Sequence, residues 1–107
     1  MAQDYVVLKN RSENGMIAVN KEVIHSIARL SLRDIENAEP ADGTLTDAVQ
    51  IRIEKNRLWI RTDIRVLYGA NVNATCELVQ RTIYDNVLFM TGLKPYNVSV
   101  SVAGFTF

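Results

Sequence analysis

Hydrophobic and polar residues recur along this chain with two different periods. Val49, Ile51 and Ile53 alternate with Gln50, Arg52 and Glu54. After Lys55-Asn56-Arg57, the positions Leu58, Ile60, Thr62, Ile64 and Val66 alternate with Trp59, Arg61, Asp63, Arg65 and Leu67. A period of two predicts a hairpin with one apolar face turned inward. Val72, Cys76, Val79, Ile83, Val87 and Met90 instead recur every three or four residues. That spacing predicts a helix of about five turns with a continuous buried stripe. Gly92 is placed for the left-handed residue that ends a helix, and Pro95 prevents its resumption. Val98, Val100 and Val102 alternate with Asn97, Ser99, Ser101 and Ala103, a last strand running on through Gly104 to Phe107.

The first half carries a weaker version of the same grammar. Residues 1–14 hold one apolar patch, Tyr5 to Leu8, and read as an arm or short strand. Gly15 to Val19 reads as a strand, and Asn20 as the cap of a helix. The stripe Val23, Ile24, Ile27, Ala28 and Ser31 carries that helix to about Leu32. From Asp34 to Asp47 there are five acids, no Lys or Arg, and both Pro40 and Gly43, which predicts an exposed connector. The order is β-α-β-β-α-β. The economical packing is an α+β two-layer sandwich, a small mixed sheet with both helices on one face, over residues 15–107.

Composition narrows the function. A chain of 107 residues and 12.1 kDa makes one domain, with no spare bulk for a deep cofactor cleft. Twelve basic and twelve acidic residues cancel, which argues against binding nucleic acid by bulk positive charge. One cysteine excludes an internal disulfide and a multi-cysteine zinc site, and one histidine excludes a His-Glu-x-x-His pair. The longest strictly apolar runs are four residues, whereas a membrane span needs about 20. Met1-Ala2-Gln3-Asp4 does not open a signal peptide. The expectation is a cytoplasmic protein without direct membrane insertion, cofactor or metal.

Catalytic constellations are nearly absent. His25 beside the first helical stripe reads as a boundary histidine before it reads as a general base. Cys76 on the second stripe reads as a small core side chain before a nucleophile partnered by His25. Asp63 between Arg61 and Arg65 reads as part of a charge ladder. No glycine-rich phosphate loop occurs.

One surface stands out: the polar face of the sheet. Arg52, Trp59, Arg61 and Arg65 fall on it by parity, with Phe105 and Phe107 expected to join them. An aromatic among arginines on an open sheet can stack RNA bases, but the aromatic pattern of an RNA-recognition strand and a Gly-x-x-Gly clamp are both missing. Protein contact ranks ahead of RNA, since Trp and Arg also anchor protein interfaces. The acidic connector folded back across this face is the plainest alternative.

Several segments from residue 15 onward resemble the alkaline shock protein family, the YloU-like envelope stress response proteins of Gram-positive bacteria. They are Gly15-x-Ile17-x-Val19 with Val23-Ile24-x-x-Ile27-Ala28, then Ile64-x-Val66-x-Tyr68-Gly69-x-Asn71-Val72, then Val79-Gln80, then Met90-Thr91-Gly92-Leu93, then Val98-x-Val100-x-Val102-x-Gly104-Phe105. The resemblance implies a non-enzymatic cytoplasmic protein tied to cell-envelope stress or homeostasis. It also implies protein partners, among them a membrane-anchoring protein that would recruit the chain to the inner face of the membrane, and self-association into a homo-oligomer. It brings no catalytic residues. The chain departs from the family between the first helix and the hairpin, where Ile35-Glu36-Asn37-Ala38-Glu39-Pro40 stands in place of a Gly-Val pair.

Overall fold

The computed structural model describes residues 3–8 and 15–107; of the arm expected over 1–14, residues 1–2 and 9–14 lie outside the described residues. The elements in chain order are β1 (Tyr5–Leu8), β2 (Ile17–Asn20), α1 (Lys21–Arg33), β3 (Ala38–Pro40), β4 (Val49–Glu54), β5 (Arg57–Leu67), α2 (Val72–Thr91) and β6 (Asn97–Thr106). The α+β sandwich is as expected; β1 is the short strand read at Tyr5 to Leu8, and β3 is an addition.

β5 is the centre of the sheet. β4 pairs antiparallel with its first half and β3 with its second half, while β6 runs parallel to it along the opposite side. Parallel neighbours need a crossover connection, and α2 supplies it. The even positions of β5 are all buried, and they meet Val49 and Ile53 of β4 and Val98 of β6 on the same side. α1 packs over β3 and β4, α2 over β6, and the two helices against each other. Asn86 Nδ2 on α2 donates to Ser31 Oγ on α1 at 2.8 Å.

Local chemistry explains the boundaries. Asn20 Oδ1 accepts from Glu22 N at 3.0 Å, and Asn71 Oδ1 from Ala74 N at 2.9 Å, so each helix starts on an asparagine cap. α2 stops at Gly92, whose φ of 76° is the left-handed cap and whose N–H reaches Leu88 O at 2.9 Å. The β4–β5 turn has two residues, Lys55 and Asn56, at φ 50° and 58°. That is the mirror-image turn whose twist suits a hairpin, with Asn56 in the role often taken by glycine.

Asn56 has a second role. Its Oδ1 accepts from Val7 N at 2.9 Å, its Nδ2 donates to Val7 O at 3.1 Å, and its N–H donates to Gln3 Oε1. Gln3 N also donates to Ile53 O at 2.7 Å, so the β1–β2 ladder is stitched to the outer side of β4. The strand expected at 15–19 therefore pairs with β1 and stands outside the main sheet.

The expectation of a wholly exposed connector fails in part. Ile35 is buried, and Ala38–Pro40 joins the sheet. An ion-pair clamp draws the remainder onto α1. Arg29 donates bidentately to Asp42 at 2.9 Å and to Asp47 Oδ1 at 2.8 Å, and His25 Nε2 meets Asp47 Oδ2 at 2.7 Å. Asp42 also accepts from Ala48 N at 2.8 Å, and Asp47 from Val49 N at 2.9 Å, which sets the entry of β4. The Arg29 hydrogen bond, then the Ala48 N–H, lower the Asp42 carboxyl from 3.8 to about 2. Burial pushes Asp47 upward, but the Val49 N–H, His25 and Arg29 outweigh it and leave that carboxyl lowered as well.

α2 buries Thr75, Val79, Ile83 and Val87. Cys76 is half-buried, and Val72 and Met90 are exposed in the first and last turns of α2. Thr75 can occupy a core position because its hydroxyl donates to Asn71 O at 2.7 Å. Thr62 has no such outlet: its side chain is fully buried between Val49 and Val100, and Oγ1 has no hydrogen-bond partner.

Two predictions follow from this packing. Thr62→Val keeps shape and β-branching while removing a buried unpaired hydroxyl, so it is expected to stabilise the fold by about 1 kcal/mol in urea titration; a loss of stability would mean that the hydroxyl has a partner. For the clamp, the folded carboxyl of Asp42 is depressed, so its contribution is present above pH 4 and lost as pH falls from about 4 towards about 2. Water screens this exposed pair, so Asp42→Asn is expected to cost only about 0.5–1 kcal/mol at pH 7 and to flatten the acid limb of the stability curve; an unchanged acid limb would contradict the clamp.

Candidate functional site

The face of the sheet away from the helices is built by parity. The odd positions of β5 point there, and register places Arg52 beside Trp59, Gln50 beside Arg61 and Glu39 beside Arg65. On the other side of β5 stand Asn97, Ser99 and Ser101 of β6. Four of the five predicted residues, Arg52, Trp59, Arg61 and Arg65, thus share one surface.

Phe105 does not share it. The β5–β6 ladder shifts by one residue between Ile64 and Arg65, so that Val102 pairs with Ile64 but Gly104 with Arg65 and Phe105 with Val66. A one-residue shift reverses which side every later residue takes. Phe105 therefore lies on the helix side, where its ring is 6.0 Å edge-on from Tyr68, and Phe107 stacks on the same Tyr68 at 5.3 Å. Strict alternation could not locate the extra residue, and Gly104, which weakens a strand, is the only signal for it.

Around Trp59 the structure adds a residue that the pattern missed. Tyr96, just ahead of β6, sits 5.0 Å from Trp59 at 59°. The Arg52 guanidinium lies 4.6 Å over the Trp59 ring, and that of Arg57 lies 4.9 Å over Tyr96. The result is an aromatic pair flanked by two guanidinium groups, in the order Arg52–Trp59–Tyr96–Arg57. Only Pro95 hints at it in sequence, by turning the chain so that Tyr96 enters the face ahead of the last strand.

The charges here are loosely held. Arg52 is 3.6 Å from Glu54, Arg61 is 3.5 Å from Asp63, and Arg65 is 3.7 Å from Glu39. Exposed pairs at these separations contribute little, so the guanidinium groups can re-pair at small cost. Asp63 Oδ1 is shielded from water yet accepts no hydrogen bond. Beside the aromatic pair lies an open depression of about 480 Å³, bounded by Gln50, Arg52, Trp59, Arg61 and Ser99. Among the described residues the acidic connector does not lie across this face; it runs beside β5 as β3 and then binds α1 through Asp42 and Asp47.

The nucleophile reading finds no geometry. His25 is bonded to Asp47 at the connector, while Cys76 stands on α2, with burial pushing its thiol up from its ordinary value. A protonated thiol is a poor nucleophile. Among the described residues no three His, Cys, Asp or Glu side chains converge as metal ligands. No helix among them is long and apolar enough to cross a membrane.

No curated protein and no solved structure matches this chain. A family model does match it, over residues 9–107, which is nearly its whole length. The match includes the Tyr68-Gly69 turn ahead of α2, the Gly92 cap and the alternating valines of β6, features that the fold uses to close its two layers. The chain belongs to the alkaline shock protein 23 family, described as having a cell envelope-related function.

Proposed function

We propose that the chain is a non-enzymatic interaction module of the cell envelope, and that it captures a protein partner with the Arg52–Trp59–Arg61–Arg65 face of its sheet. The observation that carries this reading is the state of the arginines. Arg52 and Arg61 flank a half-buried tryptophan and Arg65 stands farther along the same strand face; their ion pairs are long, 3.5–3.7 Å, on a surface that no described segment covers. A partner that offers carboxylates can replace those pairs with shorter, charge-assisted bonds. Trp59 and Tyr96 supply apolar area that is already partly ordered, so little side-chain entropy is lost on docking.

RNA stacking is supported less well. Arg52 already occupies a face of Trp59, and Tyr96 is tilted against the ring, so a base would have to displace one of them. In this reading the partner lies at the inner face of the membrane, with an anchoring protein holding the chain there; the family's envelope-related function agrees with such a place.

The test is crosslinking in cells with identification of captured proteins, comparing the natural chain with the double variant Trp59→Ala/Arg61→Ala. Both side chains stand away from the helix-covered core, so the variant is expected to keep its circular dichroism. Loss of an interface anchor of this kind weakens binding about thirtyfold, which would remove the main captured partner. Recovery of the same partners in the same amounts would refute the assignment. Salt-sensitive binding of single-stranded RNA that disappears in Trp59→Ala would refute it in favour of nucleic acid.

A further inference from the structure

Basic and acidic residues cancel over the whole chain, but they are not evenly spread along the sheet. β5 and β6 are parallel, so both start at one end, where α2 also stops and the β4–β5 turn lies. At that end, residues 55–57 and 89–96 hold three basic residues and no acid. At the other end, residues 34–39 hold three acids and no basic residue, and Asn37 O accepts from Leu67 N at the close of β5. A total of zero thus hides a separation of charge between the two ends.

The backbone that carries the three cations is firmly held. Asn56, bonded to Val7 through both ends of its side-chain amide, fixes the turn that has exposed Lys55 and Arg57 on either side. Lys94 is exposed between buried Leu93 and Pro95. Leu93 N donates to Thr91 Oγ1 at 3.1 Å, and Tyr96 N to Leu58 O at 2.8 Å. Among the described residues none of the three cations forms an ion pair with a carboxylate. Large apolar side chains that the core does not use stand at the same end. Phe89 and Met90, in the last turn of α2, are 89% and 65% exposed. β1 runs on past the turn: Val7 is level with Asn56, Leu8 beyond it pairs with Ile17, and the neighbouring Met16 is 66% exposed.

A single exposed hydrophobic residue is ordinary. Several of them grouped with unpaired cations on a rigid end are the combination that an anionic lipid leaflet accepts. Lipid phosphates attract the cations, and Phe and Met side chains leave water for the boundary between headgroups and acyl chains. The aromatic tip of Tyr68, Phe105 and Phe107 at the other end exposes more ring surface, but residues 66–73 and 104–107 hold no basic residue and Glu36 is exposed close by. That end lacks the electrostatic half of the contact.

We infer that the basic end is a lipid-docking surface: Lys55, Arg57 and Lys94 meet the phosphates of an anionic membrane leaflet, while Met16, Phe89 and Met90 enter the interface between headgroups and acyl chains. The contact stays at headgroup depth and needs no helix able to cross the membrane. It needs no protein partner either; only the place where the leaflet is met rests on the reading above. Docked this way, β5 rises from the leaflet and the Trp59 face is turned to the side, open to a partner anchored in the same membrane.

Co-sedimentation of the full chain with protein-free vesicles tests it. With vesicles of equal parts phosphatidylglycerol and phosphatidylcholine, about half of the chain is expected to be bound at about 1 mM accessible lipid, and far less with phosphatidylcholine alone. Lys55→Glu/Lys94→Glu is expected to weaken binding about thirtyfold or more, at about fivefold for each charge near the surface. Met16→Ser/Phe89→Ser is expected to weaken it about tenfold. Phe105→Ser/Phe107→Ser, at the other end, is expected to bind like the natural chain. All these side chains are exposed, and unchanged circular dichroism checks that each variant folds. In a Trp59→Phe background, Phe89→Trp supplies the only tryptophan, whose emission should shift to the blue on the anionic vesicles. Trp59→Ala/Arg61→Ala is expected to keep vesicle binding, which separates a failure here from a failure of the partner-capture reading. Absent binding to the anionic vesicles, equal binding to both kinds, indifference to either of the first two double variants, or loss of binding in Phe105→Ser/Phe107→Ser would overturn the inference.

Discussion

The alternation of β5 is the constraint on which the other features depend. Five even positions of one strand are sealed under two helices, from Leu58 at 2% exposure to Ile64 and Val66 at none. A slip of one residue in its pairing would drive Trp59, Arg61 and Arg65 into that layer, at a cost of several kcal/mol for each unpaired charge. The register is therefore held from both sides, by Val49 and Ile53 of β4 and by Val98 of β6. The exposed face follows from the buried one: because the even side must be dry, the odd side must carry whatever the protein shows to a partner.

The same logic gives meaning to the two irregular places. Thr62 puts a hydroxyl without a partner at the centre of the dry side. The shift beside Arg65 ends the strict pairing of β6 and turns Phe105 away from the arginines. Irregular residues in a sheet often re-aim a side chain. Here the re-aimed ring joins Tyr68 and Phe107 in an aromatic tip beyond the end of the core.

Those places also mark where reading the sequence succeeds and where it stops. The hairpin, the Asn20 cap, the Gly92 stop and the shared face of Arg52, Trp59, Arg61 and Arg65 rest on local rules of period two, period 3.6 and capping, and each is legible from a few neighbouring residues. The acidic stretch from Asp34 to Asp47 reads as a solvated connector because its ordering depends on Arg29 and His25, well before it in the chain, and no local pattern connects Arg29 with Asp42. Phe105 is misplaced for a related reason: an inserted residue is a property of the pairing of two strands, and neither strand shows it alone. Tyr96 is missed because it precedes the alternating run, while the parity of that run is what identifies a face.

The way the arginines are held bears on how the Trp59 face would act. Their ion pairs stand at 3.5–3.7 Å on the surface, so a carboxylate brought by a partner would replace a weak contact and not a strong one. The apolar part of the face is arranged beforehand, since Trp59 and Tyr96 already touch with ring centroids 5.0 Å apart and Arg52 lies over the indole. Exchangeable charges around a pre-ordered aromatic pair put the entropic cost of docking into the long side chains at the rim and spare the centre, which is the distribution that an anchor residue needs.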